Sequence, residues 1–310
     1  MKRVLVPLDG SALAETIIPD ARRLAGADGE LILVRELSHG GYAATEGVST
    51  DANIEAGEAY LQGEAAALRG AGVKVQSHSL ILGDPADAID EAARINEVDA
   101  IAIATHGRRP LGRLVRGGVA WRALAHSPVP VLLRHVDAPA SPQPIFGGER
   151  AILVPLDGSA YAETALRPAE ELAREWHAPI FLLRVIPDLQ HESGRSLAAI
   201  PLSTTYFEDE RDEAQAYLER IAGELDAEVH CRALIGSVIG TIAEQVKVLN
   251  VTDVVLATHG RTGLTRVVMG SITDELVHDL RISMLVIPAM AAPRFAFHPA
   301  GHTAEPVVAH

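Results

Sequence analysis

Two loops in this chain carry the residue types and spacing that hold phosphate. Residues 257–271 read Ala-Thr-His-Gly-Arg-Thr-Gly-Leu-Thr-Arg-Val-Val-Met-Gly-Ser. The apolar run at 253–256 before them reads as a buried strand. A helix is expected from Met269 to Asp279, so the loop joins a strand to a helix. Glycine lets the backbone approach a ligand closely and take up positive φ. Backbone N–H groups in such a loop, and at the helix start behind it, cradle anions. Ser271 adds a hydroxyl at that helix start. The competing reading is an ordinary strand–helix connection capped by Ser271.

The loop occurs twice. Residues 104–118 read Ala-Thr-His-Gly-Arg-Arg-Pro-Leu-Gly-Arg-Leu-Val-Arg-Gly-Gly, with the same opening and the same distance to the closing Gly pair or Gly-Ser. Arg108, Arg109, Arg113 and Arg116 crowd the first loop, and Arg261 and Arg266 stand in the second. Arginine pairs well with phosphate oxygens, although a solvated loop face is the plainer reading. His106 and His259 lie inside the loops. No second histidine or carboxylate stands beside either at metal-ligand spacing, so loop-ordering hydrogen bonds are their expected role.

The elements that position these loops are also duplicated. Residues 4–16 read VLVPLDGSALAET and residues 152–164 read ILVPLDGSAYAET. The chain is two copies of one unit of about 145 residues, an ordinary domain size. Each copy alternates strand and helix through five strands, which argues for a parallel α/β sheet. In the first copy, strands are expected at 2–8, 31–37, 73–80, 100–104 and 129–133, with helices at 12–26 and 51–70 and one opening at Pro85. In the second, strands are expected near 151–156, 180–186, 228–235, 253–257 and 283–287, with helices near 161–176, 206–225, 239–249 and 269–280. The domains then span 1–136 and 150–289. Residues 137–149 form a linker containing Pro139, Pro142 and Pro144. Residues 290–310, with three prolines and small residues, read as a disordered tail.

The V-P-L-D-G-S openings, the A-T-H-G-R loops and the later Gly-Ser resemble the universal stress protein family in its tandem two-domain form. The resemblance covers nearly the whole chain. Nucleotide-binding members of that family carry G-x-x-G-x9-G-[ST]. Gly260, nine residues and Gly270-Ser271 match it in the second repeat, with Ala257 in place of the first glycine. Gly107, nine residues and Gly117 match it in the first repeat, with Ala104 and Gly118 replacing the first glycine and the Ser/Thr. The resemblance implies two tandem doubly wound, Rossmann-like domains of strand order 3-2-1-4-5, paired within the chain as a pseudo-dimer. Ligands of open α/β sheets bind beyond the carboxyl ends of the strands, where strand order reverses. That point lies between strands one and four, which carry the repeated motifs.

The family site, carried over by matching positions, comprises Pro155, Leu156, Asp157, Val185, Ala257, Thr258, Gly260, Arg261, Gly270, Ser271, Ile272 and Thr273 in the second repeat. The first repeat offers Pro7, Leu8, Asp9, Glu36, Ala104, Gly107, Arg108, Gly117 and Gly118, a weaker set. Asp9 and Asp157 would face the base and ribose, although Asp-Gly-Ser is good turn chemistry on its own. Glu36 and Val185 match the position that contacts the base through its backbone, and the apolar Val185 suits a purine better.

Composition narrows the function classes. The formal net charge of −14 disfavours general nucleic-acid or anionic-membrane binding. The single cysteine, Cys231, excludes an internal disulfide and reads as a small core residue. No apolar run reaches transmembrane length. The N-terminus is too soon polar for a signal peptide, so a cytoplasmic protein is expected. The loops lack a Walker lysine and any complete hydrolytic constellation.

The resemblance therefore implies an adenine-nucleotide-binding regulatory protein that binds ATP, with or without Mg2+, has no dedicated catalytic residues and acts on an unidentified protein partner. A homodimer is compatible with it. A nucleotide-free interaction protein of the same fold and a slow ATPase are the alternatives. An adenylate-forming synthetase would need a catalytic lysine or metal carboxylates that the loops lack.

Overall fold

The computed structural model describes residues 1–36, 50–80, 85–105, 119–135, 150–188, 204–258 and 271–297. The chain divides into two compact units, Met1–Ala138 and Pro139–His310.

In the first unit the elements run β1 (Arg3–Pro7), α1 (Ala12–Glu15), α2 (Ile18–Ala25), β2 (Glu30–Glu36), α3 (Thr50–Gly70), β3 (Lys74–Leu80), α4 (Pro85–Ile95), β4 (Ala100–Thr105), α5 (Val119–His126) and β5 (Val131–His135). The strands pair in parallel in the order β3-β2-β1-β4-β5. The second unit repeats the plan with β6 (Ile152–Pro155), α6 (Ala160–Glu163), α7 (Leu166–Trp176), β7 (Ile180–Pro187), α8 (Thr204–Ala222), β8 (Val229–Gly236), α9 (Val238–Val248), β9 (Asp253–Ala257), α10 (Ser271–Asp279) and β10 (Ser283–Ile287). Its parallel order is β8-β7-β6-β9-β10, the same 3-2-1-4-5 counted within the repeat.

Strands buried on both faces read as unbroken apolar runs. Val4, Leu5 and Val6 in β1, Leu31 to Val34 in β2, Ile152 to Val154 in β6 and Val254 to Leu256 in β9 are all buried. The aspartate just before β4 ties down the start of β1, because Asp99 Oδ2 accepts from the backbone N–H of Lys2 and Arg3 at 2.6 and 2.9 Å. At the matching corner of the second unit Thr252 Oγ1 accepts from the Ala151 N–H at 3.1 Å.

Three expectations need correction. The helices expected at 12–26 and 161–176 are each broken in two. Thr16 Oγ1 donates back to the Leu13 carbonyl at 2.7 Å, and Thr164 Oγ1 to the Tyr161 carbonyl at 2.6 Å. Such threonine back-bonding competes with helix continuation, which residue propensities alone do not show. The stretch after β10 is not disordered at its start. Ala292–Phe295 forms a 3-10 turn, Phe297 is buried, and the Arg167 guanidinium of α7 lies 5.2 Å over its ring. Cys231 is half-buried on β8, which lies at one end of that unit's strand order, rather than in the core. Burial, then the nearby Glu219 charge, pushes its thiol pKa above the ordinary value. Residues 137–149 and 298–310 lie outside the described residues.

A buried carboxyl on α4 has no counterpart in the second unit. Asp90 on α4 is 8% exposed, and its Oδ1 has no hydrogen-bond partner among the described residues. Burial raises its pKa, more than Arg94, His126 and Arg122 lower it. The second unit carries Ala243 at the matching helix position. A raised carboxyl pKa favours the folded state below the unfolded value of about 3.9 and loses that contribution as pH rises through the folded value. Asp90→Ala is therefore expected to raise stability at pH 7 by about 1 kcal/mol. It should also flatten the fall in stability above pH 4. Urea unfolding of the two proteins at several pH values measures both effects.

Candidate functional site

The site is built where β1 and β4, and again β6 and β9, part company. The β1–β4 ladder runs through Val4↔Ala100 and Leu5↔Ile101 and ends two residues before β1 does at Pro7. The β6–β9 ladder likewise runs through Ile152↔Asp253 and Leu153↔Val254. Beyond these pairs the first strand stays with its other neighbour. The Leu8 N–H donates to the Val34 carbonyl and the Leu156 N–H to the Leu183 carbonyl, each at 2.8 Å. Strand order reverses here, so a crevice opens at the carboxyl ends.

Each first strand ends in an Asp-Gly-Ser turn. Pro7 and Pro155 close the strands, and the Leu8 and Leu156 side chains are buried, which leaves only their backbone to face the crevice. Asp9 is exposed, and its Oδ1 accepts from the Ser11 N–H at 2.8 Å. Asp157 is half-buried and more tightly held: its Oδ1 accepts from the Ser159 N–H at 2.9 Å and from the Ser159 hydroxyl at 2.6 Å. Gly10 and Gly158 have φ of 85° and 86°. Ser11 and Ser159 then cap the short helices, accepting from the Ala14 and Ala162 N–H groups.

Below each turn lies a constellation that the sequence reading missed. The Arg35 guanidinium, from β2, sits so close over Gly10 that a Cβ there would stand 2.9 Å from its Nη1. It lies 5.1 Å over the ring of Tyr60 on α3, whose hydroxyl donates to Glu15 on α1 at 2.8 Å. In the second unit Arg184 on β7 sits over Gly158, with the corresponding distance 3.0 Å. It lies 5.2 Å over Tyr217 on α8, whose hydroxyl donates to the buried Glu163 on α6 at 2.9 Å. Arg220 covers the Tyr217 ring as well, at 5.4 Å. Burial first, then the neighbouring glutamate, pushes both tyrosine pKa values well above the ordinary one, so both remain donors. The only sequence signal was that arginine, tyrosine and glutamate recur at matching places in the repeats.

On the other wall, Ala104 lies in β4 and is half-buried. Ala257 ends β9, and Thr258 follows it, buried. The described part of α10 runs from Ser271 to Asp279. Buried Thr273, in its first turn, donates from Oγ1 to the Ala257 carbonyl at 3.3 Å and the Thr258 carbonyl at 3.5 Å. The helix start is thus tied to the strand end. The matching position in the first repeat is Ala120, which has no hydroxyl to make this tie. Ile272 is exposed. Val185, half-buried on β7, and Glu36, the last residue of β2, stand at the second-strand ends. His106, Gly107, Arg108, Gly117 and Gly118, and His259, Gly260, Arg261 and Gly270, lie outside the described residues. Among the described residues no group of three His, Cys, Asp or Glu is placed to hold a metal ion. No helix of the described residues is long and apolar enough to cross a membrane.

Comparison with known proteins agrees with the duplicated fold. The universal stress protein family model matches twice, over residues 1–135 and 149–288. A universal stress protein of Methanocaldococcus jannaschii is 24% identical over 138 residues, which are 44% of this chain and 81% of that one. A universal stress protein of Mycobacterium bovis is 26% identical over 196 residues, 62% of each chain. A crystal structure of a universal stress protein from Archaeoglobus fulgidus superposes with a TM-score of 0.65 at 20% identity, covering 92% of this chain and 96% of that one.

Proposed function

The chain belongs to the universal stress protein family, and from that premise we propose that it binds an adenine nucleotide, ATP, as a regulatory ligand. The observation that carries this reading is the repeated crevice. In both units the first strand ends in a tight Asp-Gly-Ser turn at the point where strand order reverses. In the second unit the opposite wall is a helix N-terminus opening at Ser271 and anchored by Thr273. A helix N-terminus favours the negative charge of phosphates. The base would lie toward Asp157 and Val185, and the phosphates toward the glycine loop with Gly260, Arg261 and Gly270. A Mg2+ ion arriving with the nucleotide would keep phosphate and water oxygens as its ligands. The first unit offers the weaker version, with Asp9, Glu36, Ala104, Gly107, Arg108, Gly117 and Gly118. We further propose a cytoplasmic protein that signals its nucleotide state to a protein partner. A nucleotide-free interaction protein is the second reading, favoured by Ala104 and Ala257 standing where the family motif has glycine.

Two measurements test the proposal. Mass spectrometry of small molecules released from the purified, denatured protein should recover ATP. Ser271→Gly should weaken ATP binding about tenfold by calorimetric titration, as expected for one lost charge-assisted bond of roughly 1.5 kcal/mol. The same substitution at a helix cap costs only a few tenths of a kcal/mol in stability. Absence of any bound or titratable adenine nucleotide would leave the interaction protein as the better reading.

A further inference from the structure

We propose that Arg184, and Arg35 in the first unit, contact the ligand as hydrogen-bond donors at the nucleoside end of each crevice. This rests on the nucleotide reading above and adds to it a pair of side chains outside the glycine motif.

The argument starts from how these arginines are held. Each guanidinium lies against the glycine of the Asp-Gly-Ser turn and over a tyrosine ring. The tyrosine is in turn fixed by its hydroxyl on a glutamate, Glu15 or Glu163. A guanidinium stacked on an aromatic ring keeps its N–H donors in its own plane, directed outward from its edge. Among the described residues neither Arg35 nor Arg184 has a hydrogen-bond or ion-pair partner. Other arginines in the same units are paired: Arg23 and Arg134 with Asp20, and Arg150 with Asp253. Arginine placed against a turn, backed by an aromatic and left with free donors is pre-organised for acceptors that arrive from outside.

Position decides which acceptors. Arg35 and Arg184 are on the second strands, at the end where the first strands finish in their turns. The glycine loops follow the fourth strands, on the other side of the first. Neighbouring strands are about 4.8 Å apart, so the arginines stand roughly 10 Å from the strands that launch the phosphate loops. They are thus beside the aspartate turn, where purine ring nitrogens and ribose oxygens offer neutral acceptors. The constellation occurs in both units with the same chemistry, although its tyrosine comes from helices of quite different sequence.

Calorimetric titration of the full chain with ATP and, separately, with adenosine tests the inference. Arg184→Gln should weaken both ligands by the same factor, about tenfold. Arg184→Lys, which keeps the charge but not the planar fork, should recover little of the loss. Tyr217→Phe, which frees the ring from Glu163, should give a smaller loss in the same ratio for both ligands. Unchanged affinity in Arg184→Gln, with only a lower melting temperature, would make the arginine a buttress of the turn and overturn the inference. Loss for ATP with adenosine unaffected would also overturn it, by making the arginine a phosphate contact. If Arg184→Gln does not fold, Arg184→Lys decides by the same comparison. Failure of the wild-type protein to bind either ligand overturns the nucleotide reading itself, and this inference with it.

Discussion

Replacing Arg150 with methionine is expected to destabilise the second unit by about 3–5 kcal/mol, the usual cost of removing one partner from a buried ion pair. Arg150 Nη1 lies 2.5 Å from Asp253 Oδ2, and the two side chains are 16% and 3% exposed. Its guanidinium also lies 5.0 Å over the ring of Trp176, so the methionine keeps part of the packing and removes the charge. Asp253 would keep its contact with the Thr252 hydroxyl at 2.7 Å, which cannot neutralise a carboxylate. The first unit shows the remedy, because Ala100 stands at the position matching Asp253. The double variant Arg150→Met, Asp253→Ala should therefore regain most of the stability. Urea unfolding followed through Trp176 reads both variants. Equal stability of the single and double variants would show that the lost charge is not what matters.

The second large effect is an asymmetry between the two sites. Asp157→Asn is expected to remove most of the nucleotide that copurifies with the protein, and Asp9→Asn to remove little. Asparagine keeps the Asx-type turn bond that each aspartate makes to its serine, so the turn itself is preserved. Asp157 is half-buried and bonded to both the N–H and the hydroxyl of Ser159, whereas Asp9 is exposed and accepts the N–H of Ser11. The second unit also has Ser271 and the Thr273 tie, where the first has Gly118 and Ala120. Val185 replaces a carboxylate, Glu36, that would repel a polyanion. Nucleotide per chain, measured after denaturation, decides the ranking. The opposite outcome, in which Asp9→Asn empties the protein, would mean that the extra arginines of the first loop outweigh these differences.

Much of this architecture was legible before any coordinates. The duplicated Val-Pro-Leu-Asp-Gly-Ser and Ala-Thr-His-Gly-Arg segments fixed the repeat, and unbroken apolar runs such as 254–257 marked central strands. Asp9 and Asp157 could be placed at the carboxyl edge of the sheet because each follows such a run. The arginine–tyrosine–glutamate constellation could not be read in the same way. Glu15, Arg35 and Tyr60 come from three separate elements, and no local spacing links them. Tyr60 looked like one more residue of an alanine- and glutamate-rich helix. The docking of Phe297 was hidden for a similar reason: prolines and small residues around it resemble a tail, and only the face of α7 presented by Arg167 gives it somewhere to go. Helix breaks at Thr16 and Thr164 depend on side-chain bonds to the preceding turn, which compete with a sequence pattern that is helical throughout.

Gly10 and Gly158 carry a consequence for how a mutational map of this protein would look. Both need a left-handed backbone that side-chain-bearing residues rarely adopt, and both have a guanidinium against the one face where a Cβ would project. Loss-of-function alleles should therefore concentrate at these two codons even though neither glycine offers a side chain to a ligand. A deep mutational scan scored on function alone would rank them with the binding residues. Scored on abundance as well, they would separate from Asp9 and Asp157, whose asparagine replacements leave the turn standing. The intolerance of the glycines records the crowding beneath the crevice, and it would persist in a relative that had lost its ligand altogether.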